Sequence, residues 1–214
     1  MAIPGRKAQL RVSGPPVPFS GEATTANGAR TQYQITDPSR RVLDQATAVT
    51  VSSSATGAPP YTLVPAASYT VNRLSGTVTF AAAQAAGTSV IVGGGFLPLA
   101  VAAEAKEFSY TLSSANLEAP RFGDGFLQRL PGLKDATGSL SMWTTADRTF
   151  EESLVDDTPL VLDMYSDASA VTPDLRAWVR VSKNEMKAAI DGLIETSVEW
   201  EGAPDADGRS VSVA

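Results

Sequence analysis

Apolar and polar residues alternate with a period of two through much of this chain. The alternation is clear at Lys7–Val12, Gln32–Thr36 and Thr77–Phe80. Successive side chains of a β-strand point to opposite faces, so the pattern predicts strands with one buried and one solvated face. Further strands are predicted at Ala48–Val51, Tyr69–Val71, Ser89–Val92, Ser139–Trp143, Leu160–Tyr165, Ala177–Val181 and Leu193–Trp200. Turn-forming residues between these segments indicate a mainly antiparallel β protein.

One short helix is predicted at about 149–157, where Thr149-Phe150-Glu151-Glu152 has the form of a capping box. Other segments lack a regular pattern and are expected to be loops, arms or assembly elements; they are Ser13–Asn27, Leu112–Leu133, Ser166–Asp174 and the tail from Gly202. Loops as long as Leu112–Leu133 are uncommon without a function, so we expect this one to order against another subunit.

The composition excludes several classes of chemistry. The 214 residues contain no Cys and no His, which removes thiolate sites, cysteine nucleophiles, and the commonest general base and transition-metal ligand. No phosphate-binding, zinc-protease or serine-hydrolase motif is present. We therefore expect no enzyme activity, no cofactor and no metal site. The basic amino-terminal residues are not followed by an apolar run, and no secretory signal is expected.

Charge is distributed unevenly along the chain. The first 100 residues carry seven bases and three acids, while the remainder carries ten bases and 20 acids, which gives a net charge of −6. An acidic chain is a poor general ligand for nucleic acid, because binding requires a basic face that displaces counterions. The asymmetry suits contact between different surfaces of two copies, although two ordinary solvated faces explain it equally well.

The stretch Leu193–Glu201 is the most informative strand. Ile194, Thr196, Val198 and Trp200 are predicted to share one face, and Glu195, Ser197, Glu199 and Glu201 the other. Taken alone, the acidic face fits a solvated sheet surface, since exposed Glu also prevents unwanted edge pairing.

Several short motifs occur in an order that resembles the major tail (tail tube) proteins of tailed bacteriophages. They are Asn116–Pro120, Phe122–Asp124, Leu133–Met142, the short helix, Pro159–Leu162 and Ser197–Gly202. The resemblance spans mainly residues 105 to 202. The upstream motifs at Tyr33–Pro38, Arg41–Asp44, Tyr69–Val71 and Gly76–Phe80 are similar to a module of phage structural proteins.

The resemblance implies one tail-tube-like domain over residues 1–214, an antiparallel β-sandwich in which residues 28–100 are a possible β-rich insertion. It further implies a virion protein, made in the bacterial host cytoplasm, that forms stacked, hexameric rings. The resulting tube would carry genomic DNA during ejection without binding it specifically. Its partners would be other copies and further tail proteins (tape measure, terminator, and baseplate or tip), with no membrane.

Within that expectation, the acidic residues Glu195, Glu199 and Glu201 are candidates for the lumen wall, because repulsion would keep DNA mobile. The candidate inter-subunit residues are Lys7, Arg11, Phe122, Asp124, Phe126 and Arg129. Two alternatives remain open at this point. One is a tail terminator or connector that stops after one ring, and the other is a β-sandwich surface-binding module that uses loop aromatics such as Tyr61, Phe122 and Phe126.

Overall fold

The computed structural model describes residues 7–102, 105–118, 129–144, 147–188 and 192–213. Its strands, numbered in chain order, are β1 Gln9–Ser13, β2 Val17–Ala26, β3 Gln32–Ile35, β4 Thr50–Ser54, β5 Thr62–Leu63, β6 Tyr69–Asn72, β7 Thr77–Phe80, β8 Ser89–Phe96, β9 Leu99–Val101, β10 Ala105–Glu118, β11 Arg129–Trp143, β12 Leu160–Tyr165, β13 Leu175–Lys187, β14 Glu195–Gly202 and β15 Val211–Val213. The helix α1 is Thr149–Asp156, and short 3-10 turns occupy Pro38–Arg40 and Ala66–Ser68. The described residues are mainly β with one short helix, as predicted.

An eight-stranded antiparallel sheet combines β1 with the strands that follow residue 98. Its order is β10-β11-β14-β13-β12-β1-β9, with β15 paired to β13. The sheet curls on itself, because Leu10 of β1 shares one core cluster with Leu140 of β11 and Trp200 of β14, although several strands separate β1 from these two. Phe150 of α1 is buried in the same cluster. The core therefore lies inside the curl, and the other face of the sheet points outward.

Residues 17–96 supply every strand of a second, seven-stranded antiparallel sheet, with order β5-β4-β8-β2-β3-β7-β6. This sheet has its own core around Tyr33, Ile35, Val51 and Val92. The chain leaves the eight-stranded sheet after β1 and returns to it at β9, which pairs with β1. The two crossings lie next to each other, since the amide of Gly14 donates to the carbonyl of Pro98 at 2.8 Å.

A third apolar cluster and a buried ion pair join the two sheets. Val161 of β12 and Trp178 of β13 pack with Leu74, which precedes β7. Beside them, Arg176 Nε and Nη2 each donate to the carboxylate of Asp163 at 2.6 Å. Arg176 Nη1 also donates to the carbonyl of Leu74 at 2.8 Å, so one guanidinium links both sheets. The seven-stranded sheet thus covers the outer face of β12 and of the start of β13.

Three segments expected to be loops, arms or assembly elements contain strands. One is the tail from Gly202, in which β15 pairs with β13. Ser13–Asn27 includes β2, which pairs with both β3 and β8. Apolar and polar residues do not alternate in β2, but its backbone forms hydrogen bonds with both neighbouring strands. Backbone pairing of this kind does not require an alternating sequence. Leu112–Leu133 continues β10 to Glu118 and β11 from Arg129, so the loop prediction was wrong at both ends. Residues 119–128 lie outside the described residues.

The helix was predicted correctly, but its capping was not. Thr149 is the first helical residue, the cap position belongs to Arg148, and no side chain makes the expected capping bond. Instead, the amide and hydroxyl of Thr149 both donate to Asp147 Oδ1, at 3.0 and 2.6 Å. The acceptor therefore lies one residue before the cap, and Thr149 serves as a donor.

Candidate assembly surfaces

The outer face of β14 is exposed, as the alternation predicts. Thr196, Val198 and Trp200 are buried, whereas Glu199 and Glu201 are exposed and Glu195 is half-buried. Ile194 departs from the expected pattern, because it precedes the strand and 40% of it is exposed. The three candidate lumen carboxylates therefore lie on one outward face of one strand.

Lysines of β10 and β13 accompany these carboxylates. Lys106 Nζ lies 2.6 Å from Glu195 Oε1 and 4.0 Å from the centre of the Trp143 ring. Its hydrogen bond and its charge lower the pKa of Glu195. Lys183 Nζ lies 3.6 Å from Glu199 Oε1. Among the described residues Glu201 has no ion pair, although Arg180 lies opposite it on β13.

The outer face of β10, β11, β14 and the end of β13 is therefore mixed in charge. Its carboxylates are Glu107, Asp135, Glu185, Glu195, Glu199 and Glu201, and its bases are Lys106, Arg180, Lys183 and Lys187. We call this surface the polar face. The sequence pattern of β14 revealed only the acids, because the lysines come from strands whose register is fixed by tertiary pairing.

A shallow groove of about 350 Å³ crosses the polar face. Hydroxyl side chains line it, including Ser109 and Ser139, whose Oγ atoms lie 2.9 Å apart across β10 and β11. Glu199 and Glu201 border the same groove. Such a surface offers hydrogen bonds and repels phosphate at Glu201, and it lacks the concentrated positive charge that holds nucleic acid.

The inner packing beneath this face depends on Gly138. A Cβ atom built on Gly138 would come within 2.2 Å of the Trp200 indole and 2.3 Å of the Ser109 carbonyl oxygen. Gly138 and Trp200 are opposite each other in the pairing of β11 with β14. The glycine therefore makes room for the buried indole, which supports the strand that carries the acids.

The hairpin of β10 and β11 has an incompletely covered apolar row. Phe108, Tyr110 and Leu112 are alternate residues of β10, and their register partners on β11 belong to its inward row. Tyr110 is 41% exposed and Leu112 is 47% exposed, and Leu133 on β11 is 88% exposed. Among the described strands β10 pairs with β11 alone, so its other edge has free backbone donors and acceptors.

The remaining candidate residues fall in different places. Lys7 is exposed, and its Nζ lies 3.5 Å from Asp167 Oδ2. Arg11 is half-buried on β1, with its guanidinium 4.7 Å from the centre of the Tyr165 ring. Phe122, Asp124 and Phe126 lie outside the described residues. The side chain of Arg129 does so too, although its backbone pairs with Glu118. The described side chains thus do not form one cluster.

In the described part of the chain, no group of three or more carboxylates occurs in an arrangement that could hold a metal ion. No helix there is long and apolar enough to cross a membrane.

No protein-family model and no curated protein matches this chain. Among solved structures, a chain from the tail of an empty gene transfer agent (GTA) particle, determined by helical refinement with C6 symmetry, is 11% identical. The alignment covers 55% of this chain and 87% of that chain, with a TM-score of 0.43. A chain from the virion of the native GTA particle is 10% identical, with 54% and 88% coverage and the same TM-score.

Proposed function

We propose that this chain is a structural virion protein that self-assembles into stacked, hexameric rings and so forms a phage-type tail tube for genomic DNA. The observation that carries the proposal is the β10–β11 hairpin. Its long free edge and half-exposed apolar row are features that a soluble protein normally covers. In a self-assembling protein, a neighbouring copy would cover both the edge and the apolar row.

The position of the two sheets supports a division of roles. The seven-stranded sheet covers the outer face at β12 and the start of β13, and leaves the polar face uncovered. In the proposed tube the polar face lines the lumen, and residues 17–96 form an elaboration directed away from it. The excess of acids over bases on the polar face, with no ion pair at Glu201 among the described residues, would let DNA slide without being held.

Electron microscopy of concentrated protein tests the assembly. We expect hollow filaments of uniform width from the wild type. Leu112→Asp should abolish them, because it places a charge in the apolar row. Leu63→Asp is the matched control, since Leu63 is 65% exposed on the edge strand β5 of the other sheet. Single rings would indicate a terminator or connector, and filaments from Leu112→Asp would refute the role of the hairpin.

A DNA-retention experiment tests the lumen assignment. The triple change of Glu195, Glu199 and Glu201 to Lys should leave tubes intact and make them retain duplex DNA in a salt-dependent manner, because counterion release then favours binding. The triple change to Gln removes the same ion pairs without adding positive charge, and it should retain much less DNA. Equal retention by the Lys and Gln tubes would exclude these residues from the lumen wall.

A further inference from the structure

A cleft of about 600 Å³ lies between the two sheets. The outward side chains of β1, β12 and β13 form one wall, with Arg11, Asp163 and Arg176. The seven-stranded sheet and its turns form the opposite wall, with Arg41. Val171, in the loop between β12 and β13, stands at the rim and is 93% exposed.

The cleft contains more positive than negative charge. Arg176 is already committed to Asp163, which is fully buried. Among the described residues no carboxylate lies within 4.0 Å of the guanidinium of Arg11 or Arg41, and these are the other two charged groups that line the cleft. At longer range, the charge of Arg41 helps to lower the pKa of Asp37, and Asp163 lies opposite Arg11 in the pairing of β1 with β12. The three arginines and one aspartate of the lining still leave the partly enclosed cleft with an excess of positive charge.

Neutral acceptors hold both of these guanidinium groups in place. Arg41 Nε donates to the carbonyl of Ile35 at 2.8 Å, and Nη2 donates to the carbonyl of Thr36 at 3.3 Å. Arg11 Nε donates to Gln9 Oε1 at 3.1 Å, and its guanidinium lies over the Tyr165 ring. A guanidinium has five N–H donors, so each group keeps donors free while its orientation is set. This arrangement suits the binding of carboxylates.

We propose that the cleft receives the exposed face of α1 from a second copy of this chain. Glu152, Val155 and Asp156 are spaced i, i+3, i+4 and so lie on one side of the helix. All three are exposed, and neither carboxylate has an ion pair among the described residues. The other acids of this region are engaged, since Glu151 lies 3.8 Å from Arg148 and Asp157 lies 2.8 Å from Arg180.

The two surfaces match in charge and in apolar character. Among the described residues, the cleft has two arginines without an ion pair beside the exposed Val171, and the helix face has two carboxylates without an ion pair beside Val155, which is 82% exposed. Because cleft and helix are different surfaces, the contact is head-to-tail and leaves one of each free for further copies. The contact specifies one interface of the proposed self-assembly, and its role in a tube rests on the proposed function.

The absence of cysteine from the chain allows a direct test. A Val171→Cys protein is mixed with a size-tagged Val155→Cys protein, oxidised mildly, and resolved on a non-reducing gel. We expect about tenfold more cross-linked heterodimer than from Val171→Cys mixed with Leu63→Cys. Leu63 is the control because it is similarly apolar and exposed. Equal yields from the two mixtures would overturn the proposal.

Charge reversal then identifies the contact. Arg11→Glu with Arg41→Glu in the Val171→Cys protein should reduce the cross-link to the control yield. Adding Glu152→Arg and Asp156→Arg to the Val155→Cys protein should restore it, which also shows that the reversed cleft is folded. Arg30→Glu, an exposed substitution in the turn between β2 and β3, should leave the yield unchanged. Loss without rescue would refute the contact.

The outcomes separate this contact from the proposed function. Tubes that form without the 155–171 cross-link would refute the helix-to-cleft contact and leave the tube proposal standing. Abundant cross-link without tubes under any condition would support the contact and refute the tube.

Discussion

Strands β12 and β14 belong to the same sheet, yet they differ completely in burial. Every residue of β12 is buried, whereas β14 has buried residues only at alternate positions. The second sheet covers the outer face of β12, and none of the described residues covers that of β14. One half of the sheet is therefore buried on both faces, and the other half has one exposed face that is available for contacts in an assembly.

The two halves of the sheet also differ in the environment of their charged side chains. The outer face of β12 contains a carboxylate, Asp163, that is fully buried and bound in bidentate fashion by Arg176. Two carboxylates of β14, Glu195 and Glu199, form ion pairs with lysines at the solvent-exposed surface. A buried pair depends on both partners, since removal of one leaves an uncompensated charge. Exposed pairs contribute little to stability, and their charges can be used for function at low cost.

The largest expected effect comes from breaking the buried pair. Arg176→Met should lower the free energy of unfolding by about 3–5 kcal/mol, because it leaves Asp163 charged and unpaired in the interior. Lys183→Met, which removes an exposed partner of Glu199, should have a far smaller effect. Urea denaturation of both variants measures the difference. Similar losses would mean that coverage by the second sheet does not make the pair important.

A double variant sharpens this result. Asp163→Leu with Arg176→Met replaces both charges by apolar side chains and should recover much of the lost stability. The bond from Arg176 to the Leu74 carbonyl is also lost in this variant, so recovery should be incomplete. A double variant as unstable as Arg176→Met alone would place the main cost in that bond between the sheets.

A smaller effect is expected from the support beneath the polar face. Gly138→Ala should cost about 1–3 kcal/mol, because the new methyl group displaces the Trp200 indole from its packed position. Gly28→Ala is the control, since no atom lies within 4 Å of a Cβ at that position. Urea denaturation and near-ultraviolet circular dichroism would measure stability and indole packing. A neutral Gly138→Ala would show that β14 tolerates a shift of its inner side chain.

The alternation of side chains was sufficient to predict the mainly antiparallel fold and the two faces of β14. It failed at β2, where Pro18 and Gly21 interrupt any pattern and most residues are exposed. That strand is defined by backbone pairing to β3, with which it forms a hairpin, and to β8, which is distant in the sequence. The lysines of the polar face were missed for the same reason, because cross-strand neighbours depend on register.

The smallest expected effect concerns the loop between β12 and β13, which carries Val171 at the rim of the cleft. Hydrogen bonds from the Ser169 amide and hydroxyl lower the pKa of Asp167, and a bond from the Ser166 amide lowers that of Asp174. A carboxyl group whose pKa is lowered by folding stabilises the folded form at pH values above the ordinary pKa of 3.8. That contribution is lost as the pH falls through the lowered pKa. The loop should therefore loosen only in acid.

The amide resonances of Ser166 and Ser169 should report this transition in an NMR titration, with midpoints below 3.8. Ser169→Ala removes one donor to Asp167 and should move the Asp167 midpoint upward while leaving that of Asp174 in place. This selective change separates the two carboxylates within one loop. Midpoints at or above 3.8 in the wild type would show that these bonds do not hold the loop, and the rim of the cleft would then lack the preorganisation that docking of α1 requires.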